Sequence, residues 1–278
     1  MIYIYLTIVG LAFGSFVNAF VWRMHLKRVE GALPKVFKHK STAQLSVVRG
    51  RSMCTHCGHQ LESKDLVPIL SWLSLGGKCR YCHKKIDDTP LPEILVPFLF
   101  VTSFYFWPYG FQGVYAAIFS LWLISSIVLT ALLVYDLKWM ILPDVLTKTF
   151  IYLSSVIVLL RAFDQGIGSL GLAFLGLASV GGFFYLLYAV SNGKWIGGGD
   201  VKLGYSIGLL VGTPVLGLLT IFLASVMGTL IALPQLMKKK STLMTKIPFG
   251  PLLIVATVVV FLFGEQITVW YRALLYIP

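Results

Sequence analysis

Residues 94–135, ILVPFLFVTSFYFWPYGFQGVYAAIFSLWLISSIVLTALLVY, run for 42 positions without a charge. A membrane-crossing helix needs about 20 apolar residues. The run therefore holds two spans, broken near Trp107-Pro108-Tyr109-Gly110. Uncharged stretches repeat along the rest of the chain. Residues 1–22 suit one span. Residues 145–163 suit another if the cations at its ends snorkel. Ser169–Ser191 is a clean span. Leu203–Met237 is again too long for one helix, with a break at Gly212-Thr213-Pro214. The run from Ile247 to Gly264 closes the set. About eight spans result, and the sixth (about 201–212) is short. The whole composition agrees, with 57% hydrophobic residues, 12% charged and a mean hydropathy of +0.83 over 278 residues. A disordered chain, a collagen and an ordinary soluble enzyme are excluded. The fold class expected is an all-α integral membrane protein. The first 22 residues lack a basic start and a small-residue cleavage site, so they read as a retained anchor.

The basic residues set the orientation. With eight spans, the loops at 23–91, 136–144, 192–200 and 238–246 share one side. These loops and their flanks carry 21 of the 23 Lys and Arg, leaving Arg161 and Arg272. Those loops are therefore expected in the cytoplasm and both termini outside. The net charge of +12 is then membrane topology, and no nucleic-acid partner is expected.

Residues 23–91 form the one soluble-looking segment, a small loop domain between a first helix (1–22) and a membrane core (92–278). It holds all four Cys, all five His and a net charge of +8. A segment this short buries little core without a staple. Cys54-x-x-Cys57 and Cys79-x-x-Cys82 supply one, because two such pairs offer four thiolates to a tetrahedral structural zinc. A redox role would need only one pair, and a disulfide is disfavoured in a reducing compartment. Four thiolates fill the site, so His56, His59 and His83 read as solvated neighbours and the metal as non-catalytic. No internal repeat is expected.

Few carboxylates lie near the spans, and each is a functional candidate. Asp136 closes the third span and Asp200 opens the sixth, which puts both at one membrane face. Two such acids brought together share a proton, one acting as base on water and the other as acid on a carbonyl. Gly197, Gly198 and Gly199 leave the backbone before Asp200 bare for a substrate strand. The equally open alternative is a flexible loop with a helix-capping Asp. Asp144 reads first as an N-cap and second as a supporting residue. Lys202 either favours the ionised Asp200 or snorkels. Glu93 reads as a helix-start acid. Asp164 is expected in an outer loop. A proton-coupled transporter would carry its acids at the bilayer midplane. A scaffold with a zinc docking loop would not need the acids at all.

Three blocks carry a resemblance. They are GLAFGSFVNAFVWR in the first span, GRSMCTHCGHQLESKDLVPILSWLSLGGKCRYCHKKI over the Cys loop, and the pair YDLKWMILPD and GGGDVKLG, the latter a GxGD motif. In this order they are similar to the type IV prepilin peptidase family, the membrane aspartic peptidases that mature prepilins and pseudopilins. The resemblance implies a multi-pass protein of the bacterial inner membrane, its active site facing the cytoplasm. Asp136 and Asp200 match the catalytic aspartates, which cut a basic leader after a glycine. It further implies N-methylation of the new terminus with S-adenosylmethionine, the alternative being a peptidase alone. Gly77, before Lys78 and Cys79, matches a glycine implicated in methylation. Prepilin-like proteins and membrane lipids are the implied partners. The chain departs from the pattern in a basic insertion at 27–48, in CTHC, which lacks the usual Pro, and in DDTPLPEIL.

Overall fold

A computed structural model of the chain describes residues 1–28, 37, 46, 50–237 and 248–275. Most of the basic insertion at 27–48, and the loop lysines 238–240 and 246, lie outside the described residues. The chain divides into two compact units, Met1–Thr102 and Ser103–Pro278. Among the described residues there is no named strand, and two isolated β-bridges lie in the Cys loop.

Unit 1 begins with α1 (Ile2–Arg28). The Cys loop follows, with the one-turn helix α2 (Leu70–Ser74) inside it, and α3 (Leu91–Tyr105) starts after Pro90. Small residues bring α1 against α3. A Cβ on Gly10 would lie 2.5 Å from Pro97 Cα, and one on Gly14 would lie 2.5 Å from Pro92 O. These glycines are four apart, the small-xxx-small spacing that lets helix backbones touch where hydrophobic driving force is absent. Phe13 and Phe100 pack alongside, 6.5 Å between ring centroids.

Unit 2 contains α4 (Val114–Trp139), α5 (Asp144–Gln165), α6 (Gly168–Leu177), α7 (Phe183–Ser191), α8 (Gly198–Val211), α9 (Pro214–Met237) and α10 (Gly250–Leu274). A π-helical turn at Ala178–Gly182 joins α6 and α7 into one continuous Gly168–Ser191 rod. Outward faces are apolar, with Phe163, Tyr152, Phe222 and Leu230 all exposed. Exposed apolar faces of this extent suit lipid rather than water. Several buried hydroxyls are satisfied within their own helices, as Ser125 on Leu121 O and Thr257 on Leu253 O, while Ser154 Oγ in α5 is buried without a partner. Pairing within the helix is the economy a membrane interior demands.

Among the described residues, six helices are long and apolar enough to cross a membrane. They include α1, α4, α5, the α6–α7 rod, the Pro214–Pro234 part of α9, and α10. The other two expected spans are short. The second, α3, has 15 residues, and the sixth, α8, has 14. At 1.5 Å per residue both fall under a hydrocarbon core of about 30 Å. Helix α8 needs no lipid face, because nine of its residues are buried among the other helices of unit 2. It stops where Gly212 turns left-handed (φ 77°) ahead of Pro214. The last span runs past its expected end at Gly264 to Leu274, taking Glu265 and Arg272 into α10. Asp164 is likewise helical, in the last turn of α5, where it accepts the Tyr115 hydroxyl at 2.7 Å.

Helix α8 is held at both ends. Reciprocal glycines seat it on the rod. A Cβ on Gly176 would lie 2.6 Å from Gly208 O, and one on Gly208 would lie 2.7 Å from Leu177 Cα. At its C-terminal end Arg161 donates to Leu210 O at 2.9 Å, between the rings of Tyr109 and Phe261. A cation there complements the helix dipole. At its N-terminal end Lys202 pairs with Asp144 of α5. Helices α5 and α8 therefore run in the same direction. Their starts, the end of α4 and the start of α10 meet at one end of unit 2.

Candidate functional site

That end carries the acids. Asp136 sits one turn before the close of α4, and Met140 caps the helix in a left-handed conformation by donating to Asp136 O at 2.8 Å. The Asp136 side chain is buried, 5% exposed, in a chain of otherwise apolar neighbours. Asp200 lies in the first turn of α8, three residues after the N-cap Gly197. Its carboxylate folds back on the Gly197 backbone N–H, the return half of a capping box. The position is N3 rather than the N-cap.

Gly250 shows that the two acids meet. The Cβ of any other residue there would touch Asp136 Oδ2 and would lie 3.6 Å from Asp200 Oδ1. Both carboxyls thus border one point at the start of α10. The bare Cα leaves that point open. Sequence reasoning missed Gly250 because it sits 50 residues beyond the GxGD motif and carries no chemistry of its own. Its only signal was the tight Phe249-Gly250-Pro251 turn into an apolar run.

The supporting residues pair with each other. Lys202 Nζ lies 2.5 Å from Asp144 Oδ1, so this cation faces Asp144 rather than Asp200. Asp144 is the first helical residue of α5, after the N-cap Pro143, and not the cap itself. A Cβ on Gly199 would lie 3.0 Å from Leu142 Cβ, while Gly197 stays open apart from Asp200 Oδ2 at 3.5 Å.

The four cysteines converge in unit 1. Their sulfurs all lie within 4.8 Å of one another. Cys54 Sγ and Cys82 Sγ are 3.8 Å apart. Four thiolates about 2.3 Å from a tetrahedral zinc sit about 3.8 Å from each other, whereas a disulfide needs about 2.05 Å. The donor set and its spacing fit a closed structural zinc. Burial pushes the Cys54 thiol up to about 12. Burial also works to raise Cys79, but the Cys82 and Tyr81 N–H groups outweigh it and hold that thiol below its usual value. A dication is what would displace the Cys54 proton.

The two CxxC turns are copies of one another, a repeat that sequence reading did not find. Cys54 N donates to His59 O, Gly58 N to Cys54 O and Leu61 N to Ser52 O. Twenty-five residues on, Cys79 N donates to Lys84 O, His83 N to Cys79 O and Ile86 N to Gly77 O. The bridges Met53–Gln60 and Lys78–Lys85 follow the same offset. Only the cysteines and an aliphatic end are shared in sequence, since the repetition lives in backbone hydrogen bonds. One slot needs φ > 0, filled by Gly58 (66°) and by His83 (55°).

Side chains bind the turns together. The His59 and Tyr81 rings lie 3.7 Å apart, tilted by 32°. Tyr81 OH donates to Asp65 Oδ2 at 3.0 Å and Arg80 Nε to Asp65 Oδ1 at 2.7 Å. Burial works to raise the Asp65 carboxyl, but these two donors outweigh it and hold it below the usual range. His56 faces Lys85 O at 3.0 Å and Asp87 at 3.3 Å. His56 and His59 therefore brace the loop, and the clustered ligand atoms are the four sulfurs. Gly77 is buried with φ 69°, and its Cβ would lie 3.0 Å from the Trp72 ring. Lys78 beside it is exposed.

Comparison with known proteins follows the same division. A family model described as the Bacterial Peptidase A24 N-terminal domain matches residues 8–107. One described as the Type IV leader peptidase family matches residues 123–233. A prepilin leader peptidase/N-methyltransferase of Stutzerimonas stutzeri is 31% identical over 271 residues, 95% of this chain and 91% of that protein. The Pseudomonas aeruginosa protein of the same name is 30% identical over 275 residues, again 95% and 91%. A type 4 prepilin-like proteins leader peptide-processing enzyme of Escherichia coli is 30% identical over 261 residues, 89% and 88%. No solved structure matches. With paired acids at one end of a multi-pass helical unit and relatives aligned along nearly its whole length, the chain belongs to the type IV leader peptidase family.

Proposed function

We propose that the chain is a bifunctional prepilin-processing enzyme of the bacterial inner membrane. It removes the basic leader of prepilins or pseudopilins after a glycine, at the cytoplasmic face, and then N-methylates the new terminus. The observation that carries the peptidase half is the convergence of Asp136 and Asp200 on the bare Cα of Gly250.

The chemistry needs one ionised and one protonated carboxyl. The ionised one takes a proton from water as the water oxygen adds to the scissile carbonyl carbon. The protonated one gives its proton to the carbonyl oxygen. Collapse of the tetrahedral diol breaks the C–N bond, and the departing amine takes a proton from the acid pair. The scissile segment must be unwound, because a helical amide is shielded by its own hydrogen bonds. Bare backbone at Gly197 and Gly250 leaves space for an extended strand. Asp144 and Lys202 support the site by fixing the starts of α5 and α8 together. Basic leaders are drawn to the anionic cytoplasmic leaflet, where the positive-inside count puts this end of the protein.

S-adenosylmethionine supplies the methyl group, which the deprotonated amine takes while the S–C electron pair stays on sulfur. The names of the relatives support this half, and so does the cysteine loop, with Cys54, Cys57, Cys79 and Cys82 holding zinc and Gly77 and Lys78 in the second turn.

The test is a cleavage and mass assay on the full chain in detergent or liposomes. A peptide with a Lys/Arg leader, a Gly and an apolar helix is incubated with S-adenosylmethionine. Leader loss with a gain of one methyl mass is expected. Cleavage without the gain reduces the function to a peptidase alone. Undiminished cleavage by Asp136→Asn or Asp200→Asn refutes the paired-acid reading.

A further inference from the structure

Arg161 is one of the two cations that the positive-inside count leaves on the outer side. From Asp144 to Arg161, α5 rises about 26 Å. A hydrocarbon core is about 30 Å thick, so Arg161 sits at the membrane face opposite the acids. There it borders a cavity of about 100 Å³ within unit 2. The cavity lies between the ends of α5 and α8, the starts of α6 and α9, the Tyr109 ring, and Glu265 of α10.

Its polar lining divides into spent and open groups. Ser169 Oγ donates to Gly166 O at 2.8 Å, and Gln165 Nε2 donates to the Tyr115 hydroxyl at 3.3 Å. Thr213 Oγ1 accepts the Leu216 N–H at 3.3 Å. Asp164, close by in α5, is spent on the Tyr115 hydroxyl and does not line the cavity. Arg161 gives one N–H to Leu210 O and lies 5.8 Å from the Tyr109 ring and 5.4 Å from that of Phe261. A guanidinium carries five N–H donors, so most of its edge is unspent. Among the described residues, no side chain pairs with the Glu265 carboxylate or the Tyr109 hydroxyl. A cation and an anion thus border one cavity without pairing with each other. Each is costly near membrane depth unless it is paired. A single ligand satisfies both only if it carries an anion and an ammonium on one short arm. The space suits that arm, since it holds roughly seven to ten waters and a phosphoethanolamine group has about eight non-hydrogen atoms. Leu172 and Leu175 are exposed one turn apart on α6. They form an apolar track from the cavity toward the membrane interior.

We propose that this cavity binds the headgroup of a zwitterionic aminophospholipid. Its phosphate meets the Arg161 guanidinium and the Tyr109 hydroxyl, its ammonium meets Glu265, and an acyl chain follows α6. Guanidinium and phosphate form strong, oriented pairs. Glu265 supplies the specificity, because an anionic lipid without the amine would face a second negative charge. Lipid bound there braces the far ends of α8 and α10, whose near ends carry Asp200 and Gly250.

Native mass spectrometry of the full chain in detergent tests this, with dioleoyl phosphatidylethanolamine and dioleoyl phosphatidylglycerol titrated separately. The unaltered chain is expected to retain one phosphatidylethanolamine at a concentration about tenfold below that needed for phosphatidylglycerol. Glu265→Gln is expected to lose this preference and Glu265→Lys to reverse it. Arg161→Gln is expected to weaken both lipids. Arg272→Gln removes the other outer cation, which does not line the cavity, and is expected to bind like the unaltered chain. Melting temperatures identify any variant that fails to fold. Arg161→Gln also loses the contact to α8, whereas Glu265 is exposed, so the Glu265 variants carry the test by themselves. Equal retention of the two lipids by the unaltered chain overturns the site. So does a preference that survives Glu265→Gln, or one that is lost in Arg272→Gln. Glycerophosphoethanolamine, the headgroup without its chains, forms the last arm. If it displaces the lipid at equal concentration, the ligand is a soluble aminophosphate and the lipid assignment is overturned.

Discussion

At the scale of single residues, the site turns on three positions. Asn at 136 or 200 keeps the shape but cannot carry the shared proton. Each substitution is expected to lower the cleavage rate by about 10³-fold or more, with melting temperature and zinc content unchanged. Ala at Gly250 places a methyl against Asp136 Oδ2 and beside Asp200 Oδ1. Gly250→Ala is therefore expected to cost about 10²-fold in cleavage, through misplacement of the acids or exclusion of the substrate strand. Rates measured on one leader peptide, side by side, check all three. A different residue reports on the metal loop. His83 occupies a left-handed slot that its twin fills with Gly58. His tolerates that region better than most residues, but a penalty of about 1 kcal/mol remains. His83→Gly should slow zinc release to a chromogenic chelator, and faster release would show that the His83 side chain contributes more than its backbone costs.

At the scale of elements, glycines decide where the helices sit. Gly208 and Gly176 touch through their backbones, so Gly208→Val must push α8 off the rod and carry Asp200 with it. A cost of about 1–3 kcal/mol is expected, read as a lower melting temperature together with lost cleavage. The Lys202–Asp144 pair is different. Its side chains are 52% and 61% exposed, and exposed pairs contribute about 1 kcal/mol or less. Lys202→Met should therefore shift the melting temperature far less than Gly208→Val. The same contrast explains what was legible in the sequence. Uncharged runs announced the helices, because lipid solvation acts on every residue of a span. The breaks at Trp107–Gly110 and Gly212–Pro214 were visible for the same reason. The shortness of α8 was visible too, in the few residues before the second break, whereas that of α3 was not, since its uncharged run continues past the helix end into the first break. Nor was the Asp144–Lys202 pairing, which depends on α5 and α8 running in the same direction.

At the scale of the whole molecule, chemistry was legible where residue types are rare. Four cysteines at CxxC spacing and two acids at span ends can be found by eye. Gly250 could not, because a common residue acquires a role only through its neighbours. The division into two units leads to the last prediction. The cysteine loop lies wholly in unit 1 and the paired acids wholly in unit 2. Structural zinc sites contribute folding energy outright, since their ligands come together only in the folded state. A loop of this size has little core to replace it. Purified protein should carry one zinc per chain by elemental analysis, and Cys54→Ser should carry far less. Stripping the metal with a strong chelator should first abolish methyl transfer, because the cysteine loop supports that half of the proposed function. Leader cleavage, resting on α4, α8 and α10, should decline later in the same titration. Simultaneous loss of both would mean that the zinc loop is needed by the peptidase itself, for folding or for holding the leader. Loss of neither would mean that the four thiolates keep their arrangement without a metal.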